Sequence, residues 1–280
     1  MKKSYLDKMI KAALAEDIGS GDITTNSLMP LTAQAEARLI FKSEGIVCGL
    51  NVAEVVFKTF NKKVSFKKLV SEGSRVKKGT AVAVIKGPAR AILTAERVAI
   101  NFLTHLSSIA TKTRAFVDAI RPYKSVILDT RKTTPLWRPL ERYAVKIGGA
   151  VNHRFDLSQM AMIKDNHRSM IAKGCLKQAV EIIKSKTAKE VVLEVDTFDE
   201  LKDALASRAE VILLDNMTPA QVRRAVVLRN KINPKILLEA SGGIRLDRVR
   251  DYAKTGVERI SVGTLTSVIG AIDISLDFKI

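Results

Sequence analysis

The sequence predicts an α/β protein whose C-terminal part is an irregular, TIM-like α/β barrel, and three observations carry that expectation. From about residue 125 onward, short runs rich in Val, Ile and Leu alternate with amphipathic helical stretches, the grammar of βαβ units around a parallel sheet. The runs are 125–131 (SVILDTR), 148–154 (GGAVNHR), 160–166 (MAMIKDN), 190–196 (EVVLEVD), 210–216 (EVILLDN), 235–241 (KILLEAS) and 259–264 (RISVGT). Their apolar character suits strands buried on both faces. Nearly every run closes on a functional-looking side chain. That favours a barrel, which gathers all its strand C-termini at one mouth, over an open doubly wound sheet, which gathers only those near its switch point. The gap from 131 to 148 is helical in pattern, whereas 154 to 160 is too short for a helix, so one crossover is irregular.

The N-terminal part reads differently. Residues 34–41 (QAEARLIF), 46–48 and 63–70 are short strands with polar interruptions. The stretch 71–93 has the glycine and valine spacing of lipoyl and biotinyl carrier domains, but it lacks a lysine displayed beside methionine for covalent modification. It is therefore read as a structural β-hairpin turned by Gly73, Gly79 and Gly87. A helix from about Ala95 to Ile120 follows, with Thr94 as N-cap. Its buried stripe is Ala99, Phe102, Leu103, Leu106, Ile109, Ala110, Val117 and Ile120, at helical spacing. Arg97 falls in the first turn of that helix, where the dipole disfavours a cation; a surface arginine and a site residue are both open readings. The first seventeen residues are basic, but Asp7, Lys8 and Lys11 interrupt any apolar core, so they read as an amphipathic helix and not a secretion signal.

At 280 residues the chain can fill one large domain or two modest ones. Its 47 Lys and Arg against 29 Asp and Glu give a formal charge of +18, compatible with nucleic acid, an anionic membrane surface or highly charged small substrates. The basic residues are scattered and aromatics are only 5%, which argues against base stacking and against nucleic acid as the main partner. Cys48 and Cys175 lie outside any metal-ligand spacing and read as reduced thiols. No stretch reaches the roughly 20 apolar residues a bilayer crossing needs. A soluble, cytoplasmic protein with no membrane partner is expected.

The densest chemistry lies in 129–167 (DTRKTTPLWRPLERYAVKIGGAVNHRFDLSQMAMIKDNH), where Arg131, Lys132, His153, Arg154 and Lys164 stand at the ends of apolar or glycine-rich runs. Cations placed so converge on something strongly anionic, a phosphate or a small polycarboxylate.

These blocks carry a resemblance. ALAEDIGSGDITT (13–25), ERVAINFLTHLSSIAT (96–111), DTRKTTP (129–135), NHR (152–154), IKDNH (163–167), LEVDT (193–197), LLDNM (213–217), LEASGGI (238–244) and SVGTLT (261–266) together resemble quinolinate phosphoribosyltransferase, also called nicotinate-nucleotide pyrophosphorylase (carboxylating), almost end to end. The resemblance implies an N-terminal α/β sandwich domain over residues 1–108, joined by a C-terminal strand within 267–280, and an incomplete α/β barrel over 109–266. It implies a homodimer or higher homo-oligomer with shared active sites, in which Arg97 serves the neighbour's site. The implied reaction joins quinolinate to 5-phosphoribosyl-1-pyrophosphate with Mg²⁺, giving nicotinate mononucleotide, pyrophosphate and CO₂.

The residue types suit that chemistry. Arg97, Arg131 and Arg154 can bind the two carboxylates of quinolinate bidentately, while Lys132 and Lys164 are compact charges for carboxylate or pyrophosphate oxygens. His153 can donate to the substrate or act as an orienting histidine. Glu194 and Asp215, at the ends of successive strands, are the candidates for the ribose hydroxyls and Mg²⁺, with Asp196 in reserve and Asp129 structural. Lys132, Lys164, Glu194 and Asp215 form the expected catalytic set. Thr130, at the start of the cationic loop, joins the substrate contacts. Ser241, Gly242 and Gly243, with Val262, Gly263 and Thr264, end the last barrel strands and are assigned to the 5′-phosphate. Neither an organic cofactor nor a covalent intermediate is expected. One departure stands out: where the family runs into glycine after DTRKTTP, this chain has Leu136, Trp137 and Arg138. The alternatives are a paralogous pyrophosphorylase-like protein associated with molybdenum transport and, from a different class, a basic RNA-associated protein.

Overall fold

The computed structural model describes residues 3–171, 175–270 and 272–279. In chain order the elements are α1 (Lys3–Ile18), α2 (Ile23–Leu28), β1 (Gln34–Phe41), β2 (Gly45–Ile46), α3 (Leu50–Phe60), β3 (Ser65–Lys68), β4 (Arg75–Val76), β5 (Ala81–Pro88), α4 (Ala89–Ala119), β6 (Val126–Leu128) and α5 (Arg138–Ile147). They continue as β7 (Ala161–Ile163), α6 (Asp165–Arg168), α7 (Leu176–Lys186), β8 (Val191–Val195), α8 (Phe198–Leu205), β9 (Val211–Asp215), α9 (Pro219–Ile232), β10 (Leu237–Ser241), α10 (Val249–Ala253), β11 (Arg259–Ser261), α11 (Thr264–Ser267) and β12 (Ile274–Phe278). The chain divides into two compact units. One contains residues up to Arg114, Pro135–Gly149 and the C-terminal segment from Val268. The other contains Ala115–Thr134 and Ala150–Ser267.

The first unit is built on an antiparallel sheet of order β12-β1-β5-β3. The C-terminal strand β12 pairs with β1 from Ala37↔Phe278 to Phe41↔Ile274; of the expected 267–280 return, Ala271 and Ile280 lie outside the described residues, as do Met1 and Lys2 of the expected first helix. The hairpin expected over 71–93 does not form. β4 pairs with β2, while β5 lies between β1 and β3. Gly79, at φ +85°, turns the chain out of β4 and donates its N–H to Phe41 O at 2.7 Å, so this turn is tied to β1 and closes no two-stranded ribbon.

Helix α4 begins at Ala89, directly after Pro88, and not at Ala95. Thr94 is therefore no N-cap: it lies inside the helix and its hydroxyl donates to Asp22 Oδ2 at 3.0 Å. Arg97 accordingly sits beyond the first turn, where the dipole argument against a cation lapses. The expected stripe is buried at Ala99, Phe102, Leu103, Leu106, Ile109, Ala110 and Ile120, each large member contributing about 1.5–3 kcal/mol. Phe116 is buried and Val117 only half-buried.

Trp137 stacks on Phe102 at 4.9 Å between ring centroids and lies 4.8 Å from the His105 ring. His105 Nε2 is in turn 3.0 Å from the fully buried Glu141. Leu136, the first residue after DTRKTTP, has φ +65° and is 81% exposed. It holds a left-handed backbone that glycine would tolerate better.

The second unit is a six-stranded parallel sheet of order β6-β11-β10-β9-β8-β7. Its inner floor is Val192, Val211 and Leu213, packed with Met160, Met162 and Leu237. The strand expected over 148–154 is reduced to a single bridge, Leu128↔Val151. The reason is local: Gly148 and Gly149 finish the hydrogen bonding of α5, and the polar groups from Asn152 onward are taken by a side chain. With this one bridge where a full strand would complete the cylinder, the barrel is incomplete. No helix fills 155–160.

Candidate active site

The C-terminal ends of the parallel strands open into one cavity of about 590 Å³. Thr130, Arg131, Lys132, His153, Arg154, Lys164, Glu194, Asp215, Ser241, Gly242, Gly243, Gly263 and Thr264 all line it. Val262 lies beneath, 1% exposed. Arg97 is not part of this lining. It borders a separate cavity of about 320 Å³ in the first unit, with Asp17, Asp22 and Thr94 among its neighbours.

The sheet register explains the gathering. Strand side chains alternate, so residues two apart share a face. Leu213 and Asp215 on β9, Glu239 and Ser241 on β10, and Ser261 and Gly263 on and after β11 reach the cavity as such pairs. In register, Ser241 is the partner of Asp215.

The cationic side depends on buried polar contacts. Asp129, fully buried, accepts from His153 N–H at 2.6 Å and from Asn152 Nδ2 at 2.8 Å. The buried Arg154 donates from Nη1 to Met160 O at 2.9 Å. Burial, and then the charge of Arg131, lower the Arg154 pKa; two guanidinium groups so placed favour an anion between them. On the neighbouring loop, Thr130 Oγ1 accepts from Lys132 N–H at 3.1 Å, and Thr266 Oγ1 donates to Lys132 O at 2.8 Å. A Cβ at Gly263 would lie 3.0 Å from Lys132 Cδ: this glycine makes room for the lysine stem.

The acidic side is electrostatically loaded. Glu194, 6% exposed, accepts from Asp165 N–H at 3.1 Å and lies 3.9 Å from Lys164 Nζ. Burial raises its pKa above the ordinary carboxylate value; Asp165 N–H and Lys164 oppose the rise, and Asp215 adds to it. Burial also raises the pKa of Asp215, with Asp196 reinforcing and Lys164 and Lys132 opposing. Asp196 is engaged elsewhere, accepting from Arg168 Nη2 at 2.6 Å, and does not line the cavity. At the next strand end, Gly242 has φ +95°, and a Cβ there would fall 2.2 Å from Asn216 Oδ1. Asn216, itself at φ +54°, donates from its backbone N–H to Ser241 O at 2.9 Å and from Nδ2 to Asp215 Oδ2 at 2.7 Å.

Sequence reasoning missed Met162, Asp165, Leu213, Asn216, Glu239, Ile244, Ser261 and Ser267 of the lining. For Glu239 and Ser261 a signal existed: each is a polar residue inside an apolar strand run, two positions before a glycine or serine already assigned to the site.

Family models described as the quinolinate phosphoribosyl transferase N-terminal and C-terminal domains match residues 22–107 and 109–277. The chain belongs to the quinolinate phosphoribosyl transferase family. Members similar to it include a probable nicotinate-nucleotide pyrophosphorylase [carboxylating] of Synechocystis, 40% identical over 91% of this chain and 86% of the relative. The nicotinate-nucleotide pyrophosphorylase [carboxylating] of Mycobacterium leprae is 39% identical over 96% and 95%. Among solved structures, the family's nicotinate-nucleotide pyrophosphorylase from Francisella tularensis superposes with a TM-score of 0.93 at 37% identity, covering 100% of this chain and 98% of that one.

Proposed function

We propose that the protein is a quinolinate phosphoribosyltransferase, joining quinolinate to 5-phosphoribosyl-1-pyrophosphate and releasing nicotinate mononucleotide, pyrophosphate and CO₂ in de novo NAD biosynthesis. The observation that carries the reading is the single cavity shared by Arg131, Lys132, Arg154 and Lys164 with Glu194, Asp215 and two glycine loops. A dicarboxylate and a phosphorylated ribose need that division. Both family matches and the relatives' names favour it over the molybdenum-associated paralogue and the RNA-associated protein.

In this reading Arg131 and Arg154 clamp the quinolinate carboxylates, and Lys132 and Lys164 neutralise carboxylate or pyrophosphate oxygens. His153 stands beside them. Glu194 and Asp215 hold the ribose hydroxyls, and their charge favours the oxocarbenium-like carbon that develops as pyrophosphate departs. Thr130 orders the cationic loop. Ser241–Gly243 and Val262–Thr264 present backbone N–H groups to the 5′-phosphate. After the ring nitrogen bonds to the ribose, loss of the 2-carboxylate leaves its electron pair beside a positive nitrogen. The protein then needs to supply orientation and dryness.

Glu194 and Asp215 fit Mg²⁺. They are two carboxylates on adjacent strands whose burial and neighbouring acids raise the cost of their charge, which a cation relieves. Among the described residues no group of three or more His, Cys, Asp or Glu could hold a metal alone, so water and substrate oxygens would complete the shell. When bound, the ion supplies charge neutralisation for the pyrophosphate.

The reading extends to a cytoplasmic homodimer or higher oligomer in which Arg97 reaches the partner's site. It is supported by the family resemblance; within its own unit Arg97 borders the 320 Å³ cavity. No described helix is long and apolar enough to cross a membrane. The test is direct: purified protein with Mg²⁺ and phosphoribosyl pyrophosphate should release CO₂ from quinolinate, and no release overturns the reading. Mixing inactive Arg97→Ala and Lys164→Ala subunits should restore partial activity; no recovery despite subunit exchange overturns the shared site.

A further inference from the structure

Glu239 lies in the middle of β10, within an otherwise apolar strand, and is 0% exposed. It is paired in register with Leu213 on one side and Arg259 on the other, and it lines the cavity. Its Oε1 accepts from Ser261 Oγ on β11. Among the described residues its Oε2 has no hydrogen-bond partner, a costly state for a buried polar atom. The His153 side chain, 6% exposed, brings Nε2 to 3.3 Å from Glu239 Oε1 without hydrogen-bond alignment. The opposite ring nitrogen, Nδ1, accepts from Arg154 N–H at 2.7 Å. A ring nitrogen that accepts carries no proton, so the imidazole proton is on Nε2, directed to the Glu239 side.

We propose that Glu239 is a positioning residue that acts through His153 on Arg154. Its carboxylate charge, with Oε1 3.3 Å from Nε2, keeps the imidazole proton on that nitrogen. This frees Nδ1 to receive the Arg154 backbone N–H and sets the start of the guanidinium side chain. The far end is fixed by Met160 O at 2.9 Å. The contacts Ser261–Glu239–His153–Arg154 link two paired strands to a segment that joins the sheet at the Val151 bridge. Orientation passed from one side chain to the ligand-facing one in this way fixes a ring's tautomer in many polar sites. A glutamine in place of Glu239 keeps the volume and a carbonyl oxygen for Ser261 Oγ–H, but removes the negative charge beside His153 Nε2 that favours the proton there.

The proposal rests on the reading that Arg154 binds a quinolinate carboxylate, and its test separates the two. Histidine-selective ¹⁵N NMR is well posed because the chain has three histidines, and His153→Gln assigns one of them. The wild type should show His153 protonated on Nε2 alone, and E239Q should lose that single-tautomer signature. In steady-state kinetics E239Q should raise the quinolinate KM about tenfold and leave the phosphoribosyl pyrophosphate KM within about twofold of wild type. A role of filling space alone would survive this isosteric change. The double variant E239Q/H153Q should be no worse than H153Q. Should E239Q fail to fold, Ser261→Ala should show the same selective rise on a smaller scale. An unchanged His153 spectrum, equal rises in both KM values, or additive losses in the double variant would overturn the proposal. A wild-type protein without carboxylating activity would overturn the functional reading instead, leaving the histidine spectrum to decide on Glu239.

Discussion

The two sides of the cavity are held in different ways. Glu194, Asp215 and Ser241 lie on β8, β9 and β10, each of which pairs with a strand on both edges. Arg131 and Lys132 follow β6, a strand of three residues, and His153 and Arg154 follow an isolated bridge at Val151. The acidic side is thus positioned by main-chain ladders, and the cationic side by buried side chains, with Asp129 taking the N–H of His153 that a ladder would otherwise satisfy. Where strand pairing runs out, polar side chains become structural, and a substitution in them should disturb function and stability together.

The largest expected effect is on turnover. Lys132→Ala and Arg154→Ala should each lower kcat/KM by about 10²–10³-fold, the scale of losing a preorganised charged contact, with circular dichroism unchanged. Near-normal rates would show that the cationic side is misplaced. Asp215→Asn should also lose at least about 10²-fold activity and yet raise the melting temperature at neutral pH. Its raised pKa means that the ionised carboxylate is disfavoured in the folded state, so a neutral isostere removes a cost. That gain should shrink as pH falls and the wild-type carboxyl takes up its proton. A lower melting temperature for Asp215→Asn at neutral pH would contradict the picture of a loaded acidic side held by its strands.

Asp129→Ala tests the other half of the comparison. Removing a fully buried acceptor of two donors should cost about 2–4 kcal/mol in urea unfolding, along with most activity. A variant of wild-type stability would break the claim that side chains replace the ladder there. Gly242→Ala should cost about 1–3 kcal/mol, because its Cβ would collide with Asn216 at a positive φ, and it should raise the phosphoribosyl pyrophosphate KM more than the quinolinate KM. The smallest effect is expected at Leu136→Gly. Relief of a left-handed leucine, 81% exposed, should stabilise by up to about 1 kcal/mol, offset in part by glycine's greater freedom in the unfolded chain.

Much of the parallel sheet was legible because strands buried on both faces spell themselves in Val, Ile and Leu, as in 190–196 and 210–216. Strand 148–154 misled, since GGAV has the composition of such a run while its two glycines belong to a helix end. The hairpin over 71–93 misled for a complementary reason: the turn glycines were recognisable, but the partner of a two-residue strand is a long-range choice that local sequence does not encode. Helix α4 started early because Ala, Arg, Ile and Leu at 89–93 need no side-chain cap when a strand delivers the chain straight into the helix. At the site, charged residues at strand ends announced themselves. Glu239 did not, because a lone carboxyl inside LLEAS reads as an interruption until alternation places it on the same face as Ser241.

The stacking of Trp137 on Phe102 has a practical corollary. The chain has a single tryptophan, and it stands two positions after the DTRKTTP loop that carries Arg131 and Lys132. Intrinsic emission from this protein is therefore a one-residue signal and not an average over many. A spectral change on titrating in quinolinate would report from the one tryptophan that follows this loop in sequence, so the chain carries its own optical probe without a label.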